Sequence, residues 1–399
     1  MKLNKNFLFL MLGQSVANIG DVFYIVSIIS MLYQLTNSAT ISAFVPFTIT
    51  TAMFVSSILT PLAIGKWRLK TLLLGSQIAK TILLFGLSFF VLFFLHEANY
   101  YIIFLVIAVI AFLDGCSNPI LRALVPYYVQ QDQLVKANSI AETITQLIQI
   151  GAWLVGGLLL LLMSPIQLVW LVIVFFVLSC ILLSFIQHVN HVEEQDQKLW
   201  IQLTQGWKSI GATPVLKKII QMDFLETIAG TVWIAAIVYV FVEQALHVGE
   251  QWWGLINGAF FVGLLVGSLF CVKFPQVVEN YMYQFIFLGA LLCSLLTILF
   301  GTTSHPLIAL ILSAGIGIFG QLKNIPQQTV IQRSVPTDKL VTVYTSMGTV
   351  TMGVFGVSSL CIGILADLVG VRAVFVISGL LLAAVSLIAF KSKSLLMKM

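Results

Sequence analysis

Twelve windows of about 20 mostly apolar residues, separated by short polar breaks, use up most of this 399-residue chain. At 1.5 Å rise per residue, a window of that length spans the hydrocarbon core of a bilayer as a helix. The windows lie near 7–33, 40–64, 71–95, 100–122, 137–162, 166–187, 216–243, 251–272, 281–302, 306–325, 339–365 and 371–390. Charged residues make up 9% of the chain, where soluble domains carry roughly 25%. The sequence therefore predicts an all-α membrane protein with twelve transmembrane helices. The first window stays apolar beyond the core of a signal peptide, so it reads as a retained helix.

Lys and Arg in short loops set orientation, because they accumulate on the cytoplasmic side. With the N-terminus inside, the inner breaks collect Lys66, Arg68, Lys70, Arg122, Lys136, Lys198, Lys208, Lys217, Lys218, Lys273, Lys323, Arg333 and Lys339, and then the tail "KSKSLLMKM". The outer breaks, such as "HEAN" and "HVGEQ", contain no Lys or Arg; Arg372 lies near an outer end and Lys80 deep in a span. The expectation is a multi-pass protein of the cell membrane, bacterial, monomeric, with both termini cytoplasmic. The net charge of +5 reflects this bias and calls for no nucleic acid. The five cysteines are isolated in apolar segments, which excludes CxxC redox or zinc spacing. There is no P-loop and no His-Glu-x-x-His, so neither ATP-driven nor metalloenzyme chemistry is expected.

A long polar break divides the chain into a first bundle (1–187), a linker (188–215) and a second bundle (216–399). Within the linker, "LWIQLTQGWKSI" spaces Leu199, Leu203, Trp207 and Ile210 as one face of a short helix, either on the membrane surface or packed on the protein. The halves echo each other. "RALVPYYVQQDQLVKANS" from Arg122 and "RSVPTDKLVTVYTS" from Arg333 both run Arg, Val-Pro, Asp-x-Leu-Val at the exit of a fourth helix. Such repeats mark pseudo-symmetric six-helix bundles with a substrate site near mid-membrane between them.

Ionisable residues inside spans are functional candidates, since each costs about 2.5–3.5 kcal/mol on insertion scales. In the first helix Gln14, Asn18, Asp21 and Tyr24 form one stripe. Loss of water disfavours the charged form of a carboxyl, the property a proton site needs, and Asp21 is the leading proton-coupling candidate. The other reading is a structural Asp bonded to a neighbouring helix. In the seventh helix Asp223, Glu226, Gly230 and Trp233 share a face. Asp223 reads as a solvated first-turn residue and Glu226 as the second proton candidate. The fourth helix offers Asp114, Asn118 and Arg122, and the fifth Glu142 and Gln149. Arg122 with Glu142 is an expected inner-gate pair, and Lys80 with Asp114 an expected structural pair. The tenth helix aligns Gln321, Asn324 and Gln328 before Pro326 disrupts its end. The polar residues of these stripes, with Trp233, are candidates for a substrate cavity; "GLLVG" at Gly263–Gly267 and "GTVTMGVFG" at Gly348–Gly356 are expected contact seams.

On "GQSVANIGDVFYIVSIISMLYQLTNSAT", "PLAIGKWRLKTLLLGSQIAK" and "NPILRALVPYYVQQDQLVKANSIAETITQLIQIGAWLVGG", the chain resembles the major facilitator superfamily, and within it the drug:proton antiporters that include macrolide efflux proteins and the enterobactin exporter. The resemblance implies the major facilitator fold and a gating loop after the second helix. Gly65, Lys66, Arg68 and Lys70 match that loop, but its usual Asp is absent. Gly65 and Arg68 join Arg122 and Arg333 as gating candidates. The fifth-helix antiporter motif usually has Gly-Pro, and here Trp153 stands in "GAWLVGG". The expected function is proton-coupled efflux of drugs or other amphiphilic small molecules by alternating access. No cofactor is expected beyond the proton gradient, and the expected partners are the bilayer, protons and a small-molecule substrate. The alternatives are a siderophore or metabolite exporter, a uniporter, and a membrane sensor or scaffold that transports nothing.

Overall fold

The computed structural model describes residues 4–64, 66–96, 98–187, 189, 199–233, 235–249 and 251–397. Among them the regular structure is helical throughout: α1 Lys5–Thr36, α2 Ala39–Ile64, α3 Leu69–Phe93, α4 Tyr101–Tyr128, α5 Leu134–Leu162, α6 Pro165–Ser184, α7 Leu199–Ala212 and α8 Pro214–Gly230. There follow α9 Ala235–Phe241, α10 Gln251–Lys273, α11 Pro275–Asn280, α12 Met282–Thr302, α13 Pro306–Ser334, α14 Thr337–Val369, α15 Val371–Lys391 and α16 Lys393–Leu396. Among the described residues eleven helices are long and apolar enough to cross a membrane, and there are twelve when the bent pair Pro214–Trp233 with Ile237–Leu246 is counted as one span. Their surfaces expose large apolar side chains such as Leu161, Leu162 and Leu368, which hydrocarbon covers at no cost and water does not.

Two expected boundaries change. The seventh span is not one helix: a 3-10 turn, Thr231–Trp233, follows α8, the span then bends by 55° between Trp233 and Ile237, and it ends in a π-helical turn, Val242–Leu246. No Pro forces this irregularity, and Gly230, the weakest helix former there, is where α8 gives way to the 3-10 turn. The tenth span does not stop at Pro326. The ring removes one backbone donor, and the remaining bonds carry α13 on to Ser334.

The chain forms two compact units. The first comprises 1–129, 147–206 and 337–349; the second comprises 130–146, 207–336 and 350–399. In the first, α1 packs on α6, α2 on α4, and α3 on α4 and α6, around a core that includes Phe23, Tyr24, Ile28, Leu84, Ile107 and Phe176. In the second, α10 packs on α13, α12 on α13 and α15, and α8 on α15. Its core holds a ring cluster in which Phe241 stacks on Phe300 at 4.7 Å and meets Phe375 edge-on at 5.0 Å. Arg372 caps this cluster, donating to the carbonyls of Ala245 and Thr303 at 2.8 Å each, and so ties the π-helical turn to the loop after α12.

The two glycine-rich stretches part company. A Cβ on Gly263 would lie 2.1 Å from the Ala314 carbonyl oxygen, and one on Gly317 would lie 2.2 Å from that of Phe260, so α10 and α13 touch backbone to backbone. At the other stretch Gly356 faces open space, and a Cβ on Gly348 would be in ordinary contact with Ser57. At Gly348 and Gly356 the second expected stretch therefore makes no close approach. Gly317→Leu is expected to abolish the folded protein, read as loss of the monodisperse peak in size-exclusion chromatography of a fluorescent fusion, while Gly356→Ala leaves that peak unchanged.

Candidate functional site

Among the described residues, Lys80 is buried between two carboxylates in the first unit and Lys323 against one in the second. In the first, Lys80 of α3 is 1% exposed, and its Nζ donates to Asp21 of α1 at 2.8 Å and to Asp114 of α4. Phe176 of α6 lies beneath, its ring centroid 4.8 Å from Nζ. Gly20 makes room for that ring, since a Cβ there would come within 2.6 Å of it. Four helices thus converge on one cation, and one turn further along α3 and α4 Ser76 and Ser117 share a 2.6 Å hydrogen bond. Two carboxylates and one ammonium leave an excess of one negative charge when all are ionised. Buried charges persist only when paired, so the excess carboxylate is a natural place for a proton or a cationic substrate group.

The Lys80–Asp114 contact matches the expected pair, and the structure adds Asp21 to it. Gln14 Nε2 donates to Asn18 Oδ1 at 2.8 Å, joining two residues of the expected stripe of α1. Tyr24, one turn past Asp21, is 1% exposed inside the core and does not line an open face. Asn118 and Arg122 are exposed on α4, and Gln149 is exposed on α5.

In the second unit Glu226 of α8 pairs with Lys323 of α13 through Oε2, while its buried Oε1 has no partner. One turn earlier, Asp223 accepts from Gln327 Nε2 at 2.5 Å. Asp223 is not the solvated first-turn residue that the sequence suggests; it sits about two and a half turns into α8, half-buried, because the helix begins at Pro214. Glu226 and Lys323 line a cavity of ≈ 160 Å³ with Gly230, Trp233, Phe260 and Asn324. Trp233, projecting from the 3-10 break, stacks on Phe260 at 5.5 Å. The break thus opens a helix beside a carboxylate, the arrangement by which discontinuous helices in transporters present backbone and side-chain groups to a ligand.

Lys323 is the residue that sequence reasoning misplaces. The charge pattern puts it in an inner polar break, yet it is 6% exposed within a continuous helix. The signal that could have found it is its apolar setting, the only Lys or Arg between Pro306 and Gln332. Gln327 is missed for the same reason, the premature end given to that helix.

Other polar ties are local to the second unit. Asn138 Nδ2 donates to Thr329 Oγ1 at 3.1 Å and to Gln332 Oε1 at 2.7 Å, and Gln332 Nε2 donates back to Asn138 Oδ1 at 3.2 Å. Gln321 Nε2 donates to Glu142 at 3.3 Å. Asn324 is exposed one turn further on. Arg333 Nη2 donates to Glu279 Oε1 of α11 and to the Gln131 carbonyl, each at 2.5 Å. Of the other gating candidates, Arg68 is exposed ahead of α3, and Gly65 lies outside the described residues. The Trp153 side chain is likewise outside them. Among the described residues no group of His, Cys, Asp and Glu could hold a metal ion.

A bundle of membrane-crossing helices with ammonium–carboxylate clusters buried inside it is the architecture of a carrier. The model of the Major Facilitator Superfamily matches residues 10–357, and the chain belongs to that family. It is therefore a multi-pass membrane transporter and not an enzyme. Over 392 residues it is 30% identical to the MFS-type transporter YfmI of Bacillus subtilis (strain 168), covering 97% of this chain and 96% of the relative. A variant of the Escherichia coli fucose:proton symporter FucP has the same fold, with a TM-score of 0.74 at 14% identity over 97% of both chains. A bacterial homologue of the iron transporter ferroportin, in an outward-facing state, gives 0.74 at 15% identity over 98% of this chain and 99% of the other. At such low identity these two likenesses establish fold alone, and one fold serves a sugar symporter and a homologue of an iron transporter.

Proposed function

We propose that the protein is a proton-coupled exporter of amphiphilic small molecules, drugs among them, working by alternating access with both termini in the cytoplasm. The observation that carries this reading is the charge imbalance in the first unit, Asp21 and Asp114 against Lys80, with the Glu226–Lys323 pair buried in the second. A proton on the excess carboxylate neutralises the cluster. Its departure leaves a negative charge that attracts a cationic substrate. Competition of this kind makes proton and substrate reciprocal ligands, and antiport follows by linkage. The Trp233–Phe260 stack beside Glu226 supplies an apolar, aromatic wall for the rest of such a substrate. Orientation rests on the Lys- and Arg-rich inner breaks.

The test is uptake of ethidium, an aromatic cation, into inverted membrane vesicles from cells expressing the protein. The expected result is accumulation driven by an inside-acid pH gradient, collapsed by a protonophore and indifferent to sodium. Equal uptake with and without the gradient would indicate a uniporter.

The Arg333 tie to Glu279 and Gln131 is proposed as part of the inner gate. Glu279→Gln removes a charge-assisted bond worth about 1.5–3 kcal/mol. Ethidium efflux is expected to slow several-fold while membrane abundance of the protein, read on a blot, stays the same.

A further inference from the structure

A second cavity, far more apolar than the first, has no part in the charge chemistry. It is a groove of ≈ 430 Å³ lined by Trp207 of α7, Ile220, Phe224 and Leu225 of α8, Val350 of α14 and Ile388 of α15. Trp207 is 42% exposed and Phe224 44%. An exposed apolar groove of this kind favours hydrocarbon over water.

Three lysines stand close in sequence to its lining residues. Lys208 follows Trp207 directly, Lys217 precedes Ile220 by one helical turn, and Lys218 Nζ donates to Gln221 Oε1 at 3.2 Å, Gln221 being itself part of the lining. From Leu199 to Met222 the chain contains these three lysines and no Asp or Glu, and the carboxylate that follows, Asp223, accepts from Gln327 of α13. An apolar slot with Lys218 at its edge and Lys208 and Lys217 adjoining its lining in sequence, where a short amphipathic helix meets a spanning one, suits the two parts of one molecule: an acyl chain and an anionic phosphate headgroup.

We propose that this groove is a binding site for an anionic phospholipid, with an acyl chain against Trp207, Phe224 and Val350 and the phosphate held by Lys208, Lys217 and Lys218. In the orientation proposed above, that lipid belongs to the cytoplasmic leaflet. The site stands apart from the buried clusters, so it holds whatever ion couples transport. Its lipid ligand would steady α7, the segment that leads into the bent seventh span.

The test reads Trp207 fluorescence in nanodiscs, taken as the difference between the wild type and Trp207→Phe. Lipids brominated along the acyl chain quench a tryptophan they touch. Brominated phosphatidylglycerol is expected to quench Trp207 at a several-fold lower mole fraction than brominated phosphatidylcholine. The preference should fall with each lysine replaced and vanish in K208Q/K217Q/K218Q. These positions are at the surface, so the triple variant is expected to fold; a monodisperse chromatographic peak checks this. Equal quenching by the two lipids would overturn the anionic preference and leave a bulk-lipid contact. No quenching by either would overturn the site altogether and assign the groove to protein.

Discussion

Lys80→Met is expected to eliminate transport and to destabilise the first unit severely. The substitution leaves Asp21 and Asp114 facing each other in a buried setting with no cation between them. Removing one partner of a buried ion cluster typically costs about 3–5 kcal/mol, because the remaining charge has lost both water and counter-ion. The cluster then needs protons on both carboxyls to stay folded. Lys80→Met should therefore give little protein in the membrane at neutral pH. Lys80→Met combined with Asp114→Asn restores the balance of one carboxyl and is expected to recover abundance, though not coupled transport. The measurement is thermal stability by size-exclusion chromatography of the three proteins. Equal melting temperatures for the wild type and Lys80→Met would show that the ammonium bears no structural load.

The second large effect concerns coupling in place of folding. Asp21→Asn and Glu226→Gln keep side-chain shape and the ability to accept from Lys80 and Lys323, so both variants should fold. Together they remove one titratable group from each unit. Ethidium uptake driven by a pH gradient is expected to fall at least 100-fold in the double variant, and each single variant should retain partial activity if the units contribute separately. Substrate exchange at equal pH on both sides should persist, because it needs alternation but no net proton movement. Loss of exchange along with driven uptake would place these residues in substrate binding or in alternation itself.

How far the sequence reaches into this picture can be traced through a few residues. Asp21 is legible, since a carboxylate three and seven residues from other polar groups in an apolar run defines a helix face without knowledge of any neighbour. Lys80 with Asp114 is legible for a related reason: consecutive helices joined by a short loop are usually adjacent. The addition of Asp21 to that pair is not, because α1 and α3 meet only through tertiary packing, in which α6 presses Phe176 into the space Gly20 leaves open. Lys323 is lost to a sound rule given too much weight. A proline disfavours helix interiors, but within a bundle neighbouring contacts hold the helix through Pro326. The break after Gly230 leaves almost no trace, since "TIAGTVWIAAIV" is as apolar as any unbroken span.

The central claim is that buried carboxylates carry the coupling proton, and proton movement tests it most directly. Purified protein reconstituted in liposomes loaded with the pH indicator pyranine, and given ethidium outside at equal starting pH, should move protons out of the lumen as ethidium enters. Asp21→Asn with Glu226→Gln should abolish that proton flux while ethidium exchange continues. Proton flux of wild-type size in the double variant would contradict the assignment of coupling to these residues.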